Sequence, residues 1–144
     1  QAASTAADYF PSLSLNFALS IHGSPHTSSS LWTAYRFAEA CLDGGHTIHR
    51  VFFYQDAVLV ANRFQSPPQD EFDILKAWQM LARSHDLDLC LCIASCLRRG
   101  IVNSAEATRF EHRGDSLASG FTISGLGQLI EASLVADRTI TFGA

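Results

Sequence analysis

The chain has 144 residues, 47% of them apolar, with a formal net charge of −4; this is enough for one domain with a sizeable core and too apolar for disorder. The acidic balance supplies no basic face for nucleic acid, so any link to RNA has to run through a partner. No apolar run reaches the roughly 18–20 residues of a membrane span.

Residues 1–14 (QAASTAADYFPSLS) lack the charged start and apolar stretch of a signal peptide and read as a leader or extension outside the fold. The single domain is expected over 15–144, with a cytoplasmic location. Leu15 to Ile21 alternates Leu15, Phe17, Leu19 and Ile21 with Asn16, Ala18 and Ser20, the period of a strand. HGSPHTSSS follows as a loop whose serines can cap a helix. From Leu31 to Leu42 apolar residues recur at helical spacing, and Gly44-Gly45 stops that helix. Ile48 to Tyr54 is β-branched and aromatic, a second strand; Gln55 to Gln69 is irregular and closes at Ser66-Pro67-Pro68. Asp70 is expected to open a helix presenting Phe72, Leu75, Trp78 and Ala82 on one face, with Phe72 in the core beside Phe52, Phe53 and Trp78. Leu87 to Ala94 reads as the third strand, followed by a short helix from about Ser95 to Gly100. Asn103 or Ser104 caps a helix through Arg109. EHRGDSLASG is a polar loop. Ser124 reads as the cap of a helix carrying Leu126, Leu129, Ile130, Ser133 and Leu134, a better account of Ser124-Gly125-Leu126-Gly127 than an anion loop. Arg138 to Phe142 closes the chain as a strand.

Strands alternating with helices in this way predict an α/β fold: an open, mainly parallel sheet with helices on both faces. Chemistry in such sheets gathers at the carboxyl ends of strands, here His22 to Ser30, Tyr54 to Asn62, and Cys92 to Cys96.

Of four cysteines, Cys90, Cys92 and Cys96 crowd into seven residues. Strand alternation puts Leu89 and Leu91 on one face and Cys90 and Cys92 on the other, with Cα atoms roughly 6.6–7 Å apart, at the outer limit for a disulfide. The spacing also departs from C-x2-C, and no paired His or Cys completes a metal set. Reduced thiols without metal or organic cofactor are therefore expected. Cys92 stands where strand gives way to helix, so an ionised sulfur there would face unpaired backbone N–H groups, with Arg98 and Arg99 a turn further on. Cys41, Cys90 and Cys96 read as buried small hydrophobes; Cys92 stands open between that role and a functional one. His22 and His26, in the first carboxyl-edge loop, and Tyr54 and Asp56, at the end of the second strand, could line a pocket with it. Solvation for the histidines and packing or capping for the other two are the simpler accounts. His46, His49, His85 and His112 show no ligand spacing.

The segments VFFYQDAV with AN, SPPQDEFDILKAWQ, CIASCLRRGIV and SGLGQLIEASLVADRTITFG together resemble the TusD/DsrE family of sulfurtransferase subunits, over Leu15 to Gly143. The resemblance implies a three-layer α/β/α domain with a five-stranded sheet. It further implies that the cysteine ahead of Arg98-Arg99-Gly100, Cys92, carries a persulfide, while Cys90 and Cys96 inherit no role. It implies work beside TusB-like and TusC-like subunits in a heterohexamer. A persulfide donor carrier and a downstream acceptor protein would stand on either side, in a relay toward tRNA 2-thiolation. The sulfur-oxidation relay of DsrE-like chains and a non-catalytic interaction subunit are the alternatives, and DEFDILKAWQ leans toward the TusD side.

Overall fold

The computed structural model describes residues 13–144. The expectation for residues 1–12 lies outside the described residues; Ser14 donates its hydroxyl to the Gly45 carbonyl at 3.1 Å. Strand β1 (Asn16–Ile21) runs between β2 (Thr47–Phe53) and β5 (Arg138–Phe142). Beyond β2 lie β3 (Leu89–Cys92) and β4 (Phe121–Ser124), giving the order β4-β3-β2-β1-β5. Every strand pairing is parallel, tighter than the mainly parallel sheet expected. Apolar runs such as VFF and LCL suit strands covered on both faces.

The two faces carry different cores. Leu19, Ile21, Val51, Phe53, Leu89 and Leu91 meet helices α1 (Ser30–Asp43) and α2 (Ile74–His85), chiefly through Leu31, Ala34, Trp78 and Leu81. Phe52, Cys90 and Cys92 form a smaller cluster on the other face, against Tyr54 and Leu129. Leu129 belongs to the last helix, named α5 below (Gly127–Val135), after α3 (Ile93–Arg98) and α4 (Ser104–Arg109). This helix is pinned by charge as well as packing. Arg50 Nε reaches Asp88 at 2.7 Å, its Nη1 reaches Glu131 of α5, and His49 stands 3.1 Å from the same carboxylate. Burial works against the Arg50 charge, but hydrogen bonds donated to Asp88 and Glu131 outweigh it and hold the guanidinium above its ordinary value. The Glu131 carboxyl is drawn below its usual range, first by the His49 hydrogen bond and then by Arg50.

Several elements differ from their sequence-based bounds. The helix expected from Asp70 starts at Ile74, because Asp73 takes the cap position and its carboxylate accepts from the Lys76 N–H at 3.1 Å. Phe72 is thereby left outside the helix, 55% exposed, its ring edge-on to Trp32 at 4.4 Å rather than in the core. Gln55 to Ala61, read as irregular, is a 3-10 helix that buries Ala57, Val58 and Val60. Strand β3 spans four residues, not eight, since α3 already begins at Ile93. Gly100, at φ +74°, turns the chain after α3. Asn103 caps α4 as expected, accepting from Glu106 N at 2.8 Å. Ser124 caps nothing: it ends β4, a strand too short to announce itself by alternation, and α5 starts after Leu126 without a side-chain cap.

Trp78 is fully buried, edge-on to Phe53 at 5.5 Å and Tyr35 at 5.8 Å, and its indole N–H has no acceptor among the described residues. Trp78→Ala should cost about 3–5 kcal/mol in chemical denaturation. Trp78→Phe removes the unpaired N–H along with the lost volume, so its loss should be well under half of that; equal losses would mean the indole N–H is satisfied.

Candidate functional site

Cys92 is the last residue of β3 and occupies the cap position of α3, with φ −65° and ψ 122°. Its partner in the next strand is Ser124, and its neighbours on the same face are Phe52, Cys90, Tyr54 and Leu129. The side chain is shielded, the residue being 2% exposed. A sulfur at this point lies in a small apolar cluster at the carboxyl end of the sheet, against which Tyr54 and Leu129 pack.

A clamp fixes the wall beside it. After Tyr54 the backbone turns through Gln55 at φ +52°, a left-handed conformation uncommon for a residue with a side chain. The Gln55 N–H donates to the buried Ser95 hydroxyl at 2.9 Å, in the first turn of α3. Arg99 closes the connection, donating from Nε to Asp56 at 2.8 Å and from Nη1 to the Ser95 carbonyl at 3.1 Å. Asp56 and Arg99, singled out in the sequence, are thus brought together as structural partners two turns from the sulfur. Ser95 completes the clamp; the sequence marks it only as the expected start of the short helix, because a lone serine there carries no pattern that points to a distant partner.

Tyr54 lies against the cysteine cluster and meets the His22 ring edge-on at 5.4 Å. His22 is itself fixed, its Nε2 standing 2.9 Å from the buried Ser20 hydroxyl. His26 goes elsewhere: it is exposed and lines a cavity with Gln65, Ser66, Glu71 and Asp73, on the other side of the β1 loop. Arg98 is exposed at the end of α3. Ser124, read from the sequence as a helix cap, pairs instead with Cys92 across β3 and β4.

The other thiols are held protonated. Burial, reinforced by Asp88, pushes Cys90 up to about 11 against the opposing pull of Arg50 and Ser124. Burial and the neighbouring sulfurs push Cys96 up to about 12, and burial alone raises Cys41. All four cysteines are free thiols. Among the described residues no three His, Cys, Asp or Glu side chains converge as a metal site, and no helix is long and apolar enough to cross a membrane.

Known proteins share this arrangement of strands and helices. The DsrE/DsrF-like family model matches residues 16–142. A TusD sulfurtransferase homologue of Vibrio parahaemolyticus is 46% identical over 128 residues, covering 89% of this chain and 98% of that protein. DsrE of Allochromatium vinosum, provisionally named a sulfurtransferase, is 44% identical over 129 residues, covering 90% and 99%. In three dimensions the chain resembles the crystal structure of the ychN protein of E. coli, with a TM-score of 0.72 at 25% identity over 89% of this chain and 99% of that one.

The buried thiols make stability fall at alkaline pH. Cys90 and Cys96 bind their protons more tightly folded than unfolded, so their contribution is complete below about pH 9 and is lost as pH rises toward 11 and 12. Against a Cys90→Ala/Cys96→Ala double variant, the reduced wild-type protein should lose melting temperature progressively above pH 9. A constant difference across that range would show that these thiols titrate normally.

Proposed function

The chain belongs to the DsrE/DsrF-like family, and we propose that it is a sulfurtransferase subunit carrying a persulfide on Cys92. The observation that carries the reading is the seat of Cys92. Its sulfur ends the strand at the carboxyl edge of the sheet, in an apolar niche whose other thiol, Cys90, is kept protonated by burial.

Transfer runs in two thiol exchanges. The Cys92 thiolate attacks the terminal sulfur of a donor persulfide, whose own sulfur leaves as a thiolate, and Cys92 becomes Cys92–S–SH. An acceptor thiolate then attacks that terminal sulfur, taking it and releasing the Cys92 thiolate. Each step exchanges one S–S bond for another, so no external oxidant or reductant is consumed. A dry niche protects the charged species from competing thiols and water. The protonated state of Cys90 matters here, since a neighbouring thiolate would displace hydrosulfide from the loaded Cys92. His22, Tyr54, Asp56 and Arg99 position the niche, and Arg98 faces partners.

Because Cys92 is shielded, donor and acceptor have to displace part of the packing around it, and this suits a subunit that works in an assembly. Helix α5 and its cap residue Leu126 expose Leu126, Ile130, Leu134 and Val135 at 47–81%, an apolar stripe of the kind that marks a protein contact. TusB-like and TusC-like subunits in a heterohexamer, a persulfide donor carrier and a downstream acceptor are the partners we assign, with tRNA 2-thiolation in the cytoplasm as the destination. A DsrE-like role in sulfur oxidation is the second reading, favoured by nearly equal identity to the two named relatives.

Incubation with a persulfide donor followed by peptide mass spectrometry should find one added sulfur atom on the Cys92 peptide and none in Cys92→Ser. Labelling of Cys90 or Cys96 in its place would overturn the assignment. Gene deletion should abolish 2-thiouridine in tRNA; intact thiolation would direct the relay to sulfur oxidation instead.

A further inference from the structure

Two large aromatic side chains stand in water where the chain enters α2. Phe72 is 55% exposed, and Trp32, in the first turn of α1, is 40% exposed. Their rings meet edge-on at 4.4 Å, and the Tyr35 ring lies 6.0 Å from each. Pro25, Leu31 and Ile74 join Trp32 and Phe72 around a cavity of about 290 Å³. Paired exposed rings beside a cavity leave apolar area that a ligand can cover.

A second cavity, of about 280 Å³, shares Pro25, Phe72 and Ile74 with the first, so the two form one groove with Phe72 between them. Its chemistry is the opposite. Gln65, Ser66, Glu71 and Asp73 line it, and hydrogen-bond acceptors predominate. Gln65 Nε2 donates to the Leu59, Val60 and Asn62 carbonyls at 3.2, 2.8 and 3.0 Å. This fixes the amide and leaves its Oε1 without a donor among the described residues. Asp73 accepts from the Lys76 N–H through Oδ1 alone. Neither Glu71 nor Asp73 forms an ion pair among the described residues. His26 is the one basic side chain in this lining.

We propose that the groove binds a small free amine with an aromatic body, its ring against Trp32 and Phe72 and its ammonium among Gln65, Glu71 and Asp73. The body covers the two exposed rings. An ammonium brings three donors and no acceptor, which matches a surface of acceptors, and the face of Phe72 adds a cation–π attraction. A ligand carboxylate would meet two like charges instead. Lys76 lines the next cavity along, of about 410 Å³, and repels a second cation, which limits the ligand to one charge. No member of the Cys92 cluster lines the groove, so the site stands whether or not Cys92 carries sulfur.

The test is an NMR titration of the full chain with 2-phenylethylamine, with 2-phenylethanol and phenylacetate as its neutral and anionic counterparts. The Trp32 indole N–H should shift and saturate, while that of the buried Trp78 stays fixed. The amine should bind about tenfold more tightly than the alcohol, and phenylacetate more weakly than either. Glu71→Gln should weaken the amine about fivefold while leaving the alcohol and the melting temperature unchanged, since Glu71 is exposed. Phe72→Ala should weaken amine and alcohol alike. Equal affinity for the amine and phenylacetate, or an amine affinity unaltered in Glu71→Gln, would overturn the proposal. Tighter binding of acetyl-Phe-Lys-amide than of 2-phenylethylamine would overturn the free amine in favour of a partner's chain. Persulfide loading of Cys92, measured in parallel, should be unaltered in both variants, so the two readings fail separately.

Discussion

The structure depends on the double burial of β3. Four residues, Leu89 to Cys92, are all buried, yet alternation sends Leu89 and Leu91 into one core and Cys90 and Cys92 into the other. The large core under α1 and α2 holds the strand in register. The small core can therefore consist of two sulfurs and two aromatic rings with a single aliphatic side chain, Leu129, against them. A one-residue slip in β3 would exchange these roles and put leucine where the Cys92 thiol stands.

Placing a thiol at the end of a strand inside an apolar cluster creates opposing demands if that thiol is to carry sulfur, as proposed. Shielding keeps the sulfur away from solvent and holds the thiols around it protonated, but it also bars the way to any protein that would have to reach it. The clamp of Gln55, Ser95, Asp56 and Arg99 makes one wall rigid. The opposite wall is α5, fastened at Glu131 and exposing apolar side chains outward. The strand side is thus tied by hydrogen bonds, while the helix side presents exposed apolar side chains.

The sequence was legible where a local pattern had a single physical solution. Alternation around Leu15–Ile21 and the Asn103 cap both appear in the structure, because each is decided by neighbours within a few residues. Phe72 was misplaced because helical spacing alone counts it on the Trp78 face; Asp73 intervenes with a cap one residue later and turns the chain before the helix starts. Ser124 was misread because a four-residue strand and a helix cap look alike when a serine precedes a glycine. Pairing with β3 decided between them.

By itself the sequence determined the parallel α/β class, the face shared by Cys90 and Cys92, and the strand-to-helix junction at Cys92, since period, turn residues and chain order are local properties. Only the tertiary structure decided which groups surround that sulfur, that Tyr54 and Leu129 pack against its cluster, and that Asp56 joins Arg99. It also brought Phe72 against Trp32. Those contacts form between segments distant along the chain, and burial, which governs the protonation of Cys90 and Cys96, exists only once the sheet and its helices have closed.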